Sequence, residues 1–166
     1  MTTNLTSVMA RISMLTNEFY SLQSIIRMTA FSTKAIELTG NEQILEAHPE
    51  FNDMFTKMLE TATEITKLKG VIAKKNIEFK LEDGRTIQEA LADIAMSRRI
   101  IDTLTNLSTL NNSKRRVTET NNSYFECKEL NFNKEDIIAQ LEVLKETTEK
   151  TEYEISKLNA IDFEIE

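Results

Sequence analysis

Residues 5–26, LTSVMARISMLTNEFYSLQSII, carry an apolar side chain at alternating intervals of three and four residues. The apolar positions are Leu5, Val8, Ile12, Leu15, Phe19, Leu22 and Ile26. This spacing is the a/d heptad pattern by which helices pack as coiled coils or bundles. It predicts a first helix over residues 5–30. It also marks these seven side chains, the heptad seam, as candidate contacts with another helix or with a second copy of the chain.

The composition extends the helical preference to the rest of the chain. Its 166 residues include only 3 Gly and 1 Pro, which is few for the turns of a many-stranded β fold. We therefore predict one all-α domain spanning residues 1–166, in which two long helical hairpins form an antiparallel bundle or coiled coil. The later helices are predicted at residues 49–76, 87–108 and 134–160.

The connections between these helices are predicted from turn residues and alternation. Asn41 is expected to cap a short helix, NEQILEAH at residues 41–48, which Pro49 ends because a residue before proline avoids the α region. The polar stretch before the last helix is expected to be irregular or to form a β-hairpin around Asn121-Asn122, since both of its flanks alternate. The last residues, IDFEIE, also alternate and are expected to fray.

The segment LEDGRTIQE, residues 81–89, combines a turn with a helix start. Asp83-Gly84 is a turn signal, and Thr86 with Glu89 has the spacing of a capping box. A turn and a cap explain the Asp, Gly, Thr and Glu without a ligand. Arg85 has no such explanation, so the turn Asp83–Thr86 is also a candidate anion site at a helix N-terminus.

Several polar residues fall on apolar seams, and two of them, Asn76 and Arg98, are candidate interface residues. Asn76 lies on the seam of the second helix and Arg98 on that of the third. Polar groups at such positions can determine the register and oligomeric state of helix assemblies. We expect Arg98 to pair across an interface with a carboxylate from another helix.

Counts of reactive side chains narrow the chemistry. With one Cys and one His, the chain cannot build a Cys/His zinc site or an internal disulfide. His48 lies between Glu46 and Glu50 and could bind a metal or act as a base, but a lone histidine beside a proline in a polar loop is more often simply solvated. Cys127 is expected to be a half-buried structural residue. We predict no catalytic residues, no metal and no cofactor.

The charge and hydropathy patterns bear on partners. The net charge is −7, which disfavours generic binding to nucleic acid, and the basic run Lys114-Arg115-Arg116 lacks interleaved aromatic residues. No apolar run approaches the roughly 18 residues of a membrane span, and the N-terminus does not resemble a signal peptide. We expect a cytoplasmic protein with no stable membrane insertion, no nucleic-acid partner and no identifiable small-molecule substrate.

The sequence also resembles a bacterial family of uncharacterised small helical proteins, some of which are named septicolysin. The resemblance rests on HPEF at 48–51, IAKKN at 72–76, LEDGRT at 81–86, ALAD at 90–93 and ELNFNKEDI at 129–137. Family members carry an Arg-Asp pair soon after the ALA stretch, where this chain has Ile94-Ala95. The resemblance implies helical hairpins that associate into a homo-oligomer, and it implies no established catalytic site. The family name suggests a cytolytic role.

Three functional hypotheses follow from these patterns. The first is a non-enzymatic, homo-oligomeric structural or protein-interaction protein. The second is a membrane-active, cytolysin-like protein, as the family name suggests. The third is an enzyme whose site, built between subunits, uses carboxylates and Arg85; no known catalytic spacing supports it.

Overall fold

The computed structural model describes residues 2–120 and 122–165, and within them the chain forms four helices and six short strands. In chain order these elements are β1 (Thr2–Asn4), α1 (Leu5–Met28), β2 (Thr33–Ile36), β3 (Glu42–Glu46), α2 (Phe51–Glu78), α3 (Ile87–Ser108), β4 (Ser113–Glu119), β5 (Asn122–Lys128), α4 (Lys134–Asn159) and β6 (Asp162–Glu164). The helices begin and end within two residues of the predicted positions.

The prediction of an all-α fold is wrong. The six strands pair antiparallel as three two-stranded sheets, β1 with β6, β2 with β3 and β4 with β5. Such small sheets need few turn residues, because each of the two hairpins reverses over a single short connection. A low Gly and Pro count therefore excludes a large sheet but leaves room for hairpins between helices. The chain is mixed α and β.

The chain divides into two compact units, each described here by itself. The first unit comprises Met1–Glu78 with Asn159–Glu166, and the second comprises Phe79–Leu158. In the first unit α1 packs along α2, and β1 pairs with β6 so that Thr3 lies opposite Phe163. The terminal segment predicted to fray is therefore a strand over Asp162–Glu164.

The start of α1 shows how the terminal pair positions the helix. Asn4 is the N-cap residue, and its side-chain oxygen accepts a hydrogen bond from the Ser7 amide at 2.9 Å. The Asn4 side-chain amide also donates to the carboxylate of Asp162 at 3.2 Å. One side chain thus caps the helix and contacts the strand that pairs with β1.

The short helix predicted at residues 41–48 is instead strand β3. Gly40 has φ +91°, which reverses the chain. The Gly40 amide donates to the carbonyl of Glu37 at 2.9 Å, and the Glu37 amide donates to the carbonyl of Asn41 at 2.9 Å. These bonds make Asn41 part of the hairpin closure rather than a helix cap, and they direct Glu42–Glu46 back along β2.

The second unit repeats the order of helix, hairpin and helix. Strands β4 and β5 form the β-hairpin that the sequence left as one of two alternatives, with Glu119 opposite Asn122 at its closed end. Asn121, the first residue of the predicted Asn-Asn turn, lies outside the described residues. The buried apolar side chains of this unit are Leu81, Ile87, Ala90, Ile94, Leu141 and Ile155.

Candidate functional site

The turn before α3 is held by its own backbone. The Leu81 amide donates to the carbonyl of Arg85 at 2.8 Å, and the Gly84 amide donates to the carbonyl of Leu81 at 3.0 Å. Gly84 has φ +89°, a conformation that a residue with a β-carbon adopts only with strain. The conformation of the turn explains the glycine without reference to a ligand.

Arg85 bridges the turn and the helix that follows it. Its Nε donates to Asp83 Oδ2 at 2.8 Å, and its Nη1 donates to Asp93 Oδ2 at 2.5 Å. Asp93 lies nearly two helical turns into α3, so the guanidinium connects the turn to the side of the helix. These contacts with Asp83 and Asp93 raise the pKa of the Arg85 guanidinium, and the hydrogen bond from Arg85 lowers the pKa of Asp83. The structure thereby supplies the role for Arg85 that the sequence lacked.

The capping box at the start of α3 is present. The Glu89 amide donates to Thr86 Oγ1 at 3.2 Å, and the Thr86 amide donates to Glu89 Oε2 at 2.8 Å. The backbone hydrogen bond from Thr86 lowers the pKa of Glu89. The amides of Thr86 and Glu89 and the guanidinium of Arg85 all donate to protein groups. The residues of the turn Asp83–Thr86 are therefore explained without a bound anion.

The lowered pKa of Asp83 predicts a pH dependence. A carboxyl group whose pKa is lower in the folded chain contributes stability above its ordinary value of 3.8, and this stability is lost as the pH falls. We expect the urea midpoint of Asp83→Asn to fall less than that of the wild type between pH 7 and pH 3. Glu82→Gln, at the adjacent exposed position, is the control and should keep the wild-type difference. Equal pH dependence in Asp83→Asn and the wild type would contradict the prediction.

The heptad seam of α1 faces the interior of the chain. Four of its seven side chains are buried, namely Leu5, Val8, Leu15 and Leu22. The other three are half-buried, namely Ile12, Phe19 and Ile26. These side chains are therefore largely used within the chain, where α1 packs along α2. Their role as an interface between copies stays a prediction.

The two polar seam residues have different surroundings. Asn76 is half-buried on α2. Arg98 is exposed, and its Nη2 lies 2.7 Å from Glu152 Oε1. The carboxylate partner comes from another helix, α4, of the same chain. Arg98 is thus not a buried charge, and its part in an interface between copies also stays a prediction.

The single histidine lies between two carboxylates at the start of α2. Its Nε2 is 3.3 Å from Glu46 Oε1 and its Nδ1 is 3.2 Å from Glu50 Oε1, with 17% of the side chain exposed. The hydrogen bond from His48 contributes to a lowered pKa of Glu50, after the larger effect of the Glu50 backbone amide. Among the described residues no group of three or more His, Cys, Asp and Glu is arranged to hold a metal ion. His48 thus links Glu46, the last residue of β3, with Glu50, the residue just before α2.

The residues of the β4–β5 hairpin also have partners within the hairpin. Arg115 donates to Glu126 at 2.5 Å, and Lys114 Nζ lies 4.4 Å from the centre of the Phe125 ring. Two of the three cations in the basic run are therefore engaged by neighbouring side chains. Cys127 is exposed on β5, contrary to the expectation of a half-buried structural thiol.

The feature that sequence reasoning missed is an exposed apolar surface on the first hairpin. It comprises side chains of β2, β3 and their flanks, all of them more than 60% exposed: Phe31, Ile36, Leu38, Ile44 and Leu45. Leu38 is fully exposed in the turn between the strands. The available signal was the alternation of Ile36, Glu37 and Leu38 just before the turn at Gly40, which the prediction of a helix at 41–48 did not take into account. We call these five side chains the hairpin surface.

Comparison with known proteins gives no match for this chain among protein-family models, curated proteins or solved structures.

Proposed function

We propose that this chain is a non-enzymatic, homo-oligomeric protein-interaction protein, located in the cytoplasm. The proposal rests on the hairpin surface, where five large apolar side chains are exposed to solvent. Clustered exposed apolar residues mark interaction sites more often than singly scattered ones do. The homo-oligomer that the resemblance to the septicolysin-named family implies is in keeping with this surface.

The hairpin would gain stability from a partner surface. A two-stranded sheet is marginally stable in water, and each of its strands leaves one edge unpaired. An exposed ion pair, Lys34 with Glu42 at 3.3 Å, links the strands, and such a pair contributes only about 0–1 kcal/mol. Covering a Leu or Ile side chain completely contributes about 1.5–3 kcal/mol. Burial against another protein surface therefore offers the hairpin more stability than this polar contact does.

The site geometry supports an interaction role over catalysis and nucleic-acid binding. Arg85, the residue that the enzymatic hypothesis needed, is bound by Asp83 and Asp93. Lys114 and Arg115, which an RNA-binding hypothesis needed, are engaged by Phe125 and Glu126.

Absolute mass in solution tests the proposal. We expect light scattering on a size-exclusion column to give a mass for the full chain that is a discrete multiple, at least twofold, of 19.1 kDa. The double variant Leu38→Asn, Ile44→Thr should form an assembly of smaller mass, because it removes apolar area from the hairpin surface and leaves the buried core residues unchanged.

Met14→Gln is the matched control, since it removes an exposed apolar side chain from α1 and should leave the mass unchanged. A wild-type chain of 19.1 kDa at tens of micromolar would contradict the proposal of a homo-oligomer. A double variant with the wild-type mass would show that the hairpin surface is not where copies meet.

A membrane-active, cytolysin-like protein is the second candidate function. The observation in its favour is the full exposure of Leu38 at the hairpin turn, with Phe31 exposed nearby in the chain. Among the described residues, none of the helices combines enough length and apolar character to cross a bilayer. Dye release from liposomes at micromolar protein would support this candidate, whereas intact liposomes are expected if the hairpin surface binds protein.

A further inference from the structure

The second unit contains an apolar groove between its two helices. The groove has a volume of about 490 Å³ and is lined mainly by Ile100 and Leu104 of α3 and by Ala139, Val143 and Leu144 of α4. Val143 is 65% exposed and Ile100 is 44% exposed. The groove is thus open to solvent along two long helices, and its mainly apolar lining offers few hydrogen-bond partners to water.

The side of α4 that borders the groove has a regular pattern. Asp136, Val143 and Lys150 are spaced seven residues apart, so they lie in one row along the helix. This row is separate from the buried row of Leu141, Thr148 and Ile155, which is also spaced by seven. We call Asp136, Val143 and Lys150 the outer row of α4. It has an acidic residue at one end, an apolar residue in the middle and a basic residue at the other end.

The two charges of the outer row are not used within the chain. Both side chains are exposed, and in the part of the chain that the structure describes neither Asp136 nor Lys150 forms an ion pair. At 1.5 Å per residue, 14 residues of helix separate them by about 21 Å. They therefore cannot pair with each other in one copy.

We propose that the groove is where two copies of this chain meet, with their α4 helices antiparallel across a two-fold axis at Val143. In that arrangement Asp136 of each copy lies opposite Lys150 of the other, because both positions are seven residues from Val143. The same symmetry places Gln140 opposite Glu146 and Ala139 opposite Thr147. No two like charges face each other along these positions, so the surface is complementary to itself.

This inference rests on the proposed homo-oligomer and names one of its interfaces. The apolar groove supplies the binding energy, since Val143 of one copy can be covered by the groove of the other. The ion pairs at the two ends are exposed and weak, so their role is to select the antiparallel register. A parallel or shifted arrangement leaves the apolar middle opposite a charge or brings like charges together.

Charge reversal tests the proposal through three variants of the full chain, with association measured by light scattering over a range of concentrations. Asp136→Lys places two basic residues opposite each other between copies, and Lys150→Asp places two acidic residues opposite each other. We expect each single variant to weaken association at least tenfold. The combined Asp136→Lys, Lys150→Asp variant restores both pairs and should return to within about threefold of the wild type. Because the two positions are about 21 Å apart in one chain, direct pairing within a single copy cannot produce this rescue.

Matched controls separate the interface from effects on the helix. Glu135→Lys makes the same kind of change in the first turn of α4, and Lys145→Asp makes the same change within the helix; both residues are exposed and outside the outer row. We expect both controls to associate like the wild type. Circular dichroism of each variant should show the wild-type helix content.

The outcomes distinguish this inference from the proposed function. A monomeric wild-type chain overturns both. A multimeric wild type whose mass and affinity do not change in Asp136→Lys and Lys150→Asp, or are not restored in the combined variant, overturns the α4 interface and leaves the homo-oligomer in place.

Discussion

Ile87→Ala is expected to lower the free energy of unfolding of the second unit by about 2–5 kcal/mol. Ile87 is 1% exposed and is the first residue of α3, in a unit whose core also contains the buried side chains Leu81 and Ala90. Its amide also donates to the carbonyl of Phe79 at 3.1 Å. The substitution leaves a cavity at the point where the turn and the helix are held together. Urea unfolding followed by circular dichroism measures the loss.

Leu91→Ala is the control for this prediction. Leu91 lies one turn further along α3 and is 42% exposed, so the same kind of truncation there should cost less than about 1 kcal/mol. Hydrogen exchange locates the effect, because the amides of α3 and α4 should lose protection in Ile87→Ala. Equal effects of the two substitutions would mean that Ile87 does not occupy the core.

Leu15→Ala is expected to lower the stability of the first unit by a similar amount, about 2–5 kcal/mol. Leu15 is 3% exposed in the middle of α1, which packs along α2. Because the packing partner belongs to the same chain, the difference between variant and wild type should not depend on protein concentration. Denaturant unfolding at two well-separated protein concentrations measures this difference.

Met14→Ala is the corresponding control, since the adjacent Met14 is 65% exposed and should contribute little. A destabilisation by Leu15→Ala that grows on dilution would show that the heptad seam is completed by a second copy. That result would support the prediction from the heptad spacing that these side chains form an interface.

Local sequence was sufficient for the helices and for the capped turn. The heptad spacing of α1 depends on residues three and four positions apart, and the capping box of Thr86 and Glu89 depends on residues three apart. Patterns of this kind are determined by neighbours in the chain, so they can be read without knowledge of the fold. The same holds for the turn at Gly84.

The hairpin and terminal strands could not be predicted in the same way. Residues 42–46, EQILE, suit a helix as well as a strand, and the hydrogen bonds around Gly40 decide between them. Strand β6 exists because it pairs with β1, which lies at the opposite end of the chain. A three-residue strand has no local signal strong enough to reveal such a pairing.

The candidate site residues show the same difference between what local sequence predicts and what depends on the fold. Periodicity and capping are local properties, and they were enough to predict the four helices and their ends to within two residues. The folded chain was needed to learn that Arg85 binds Asp93 and that Arg98 binds Glu152. It was needed equally to find that the β2–β3 hairpin and the α3–α4 groove leave apolar side chains exposed. Exposure and pairing depend on which segments of the chain meet, and that is a property of the folded molecule as a whole.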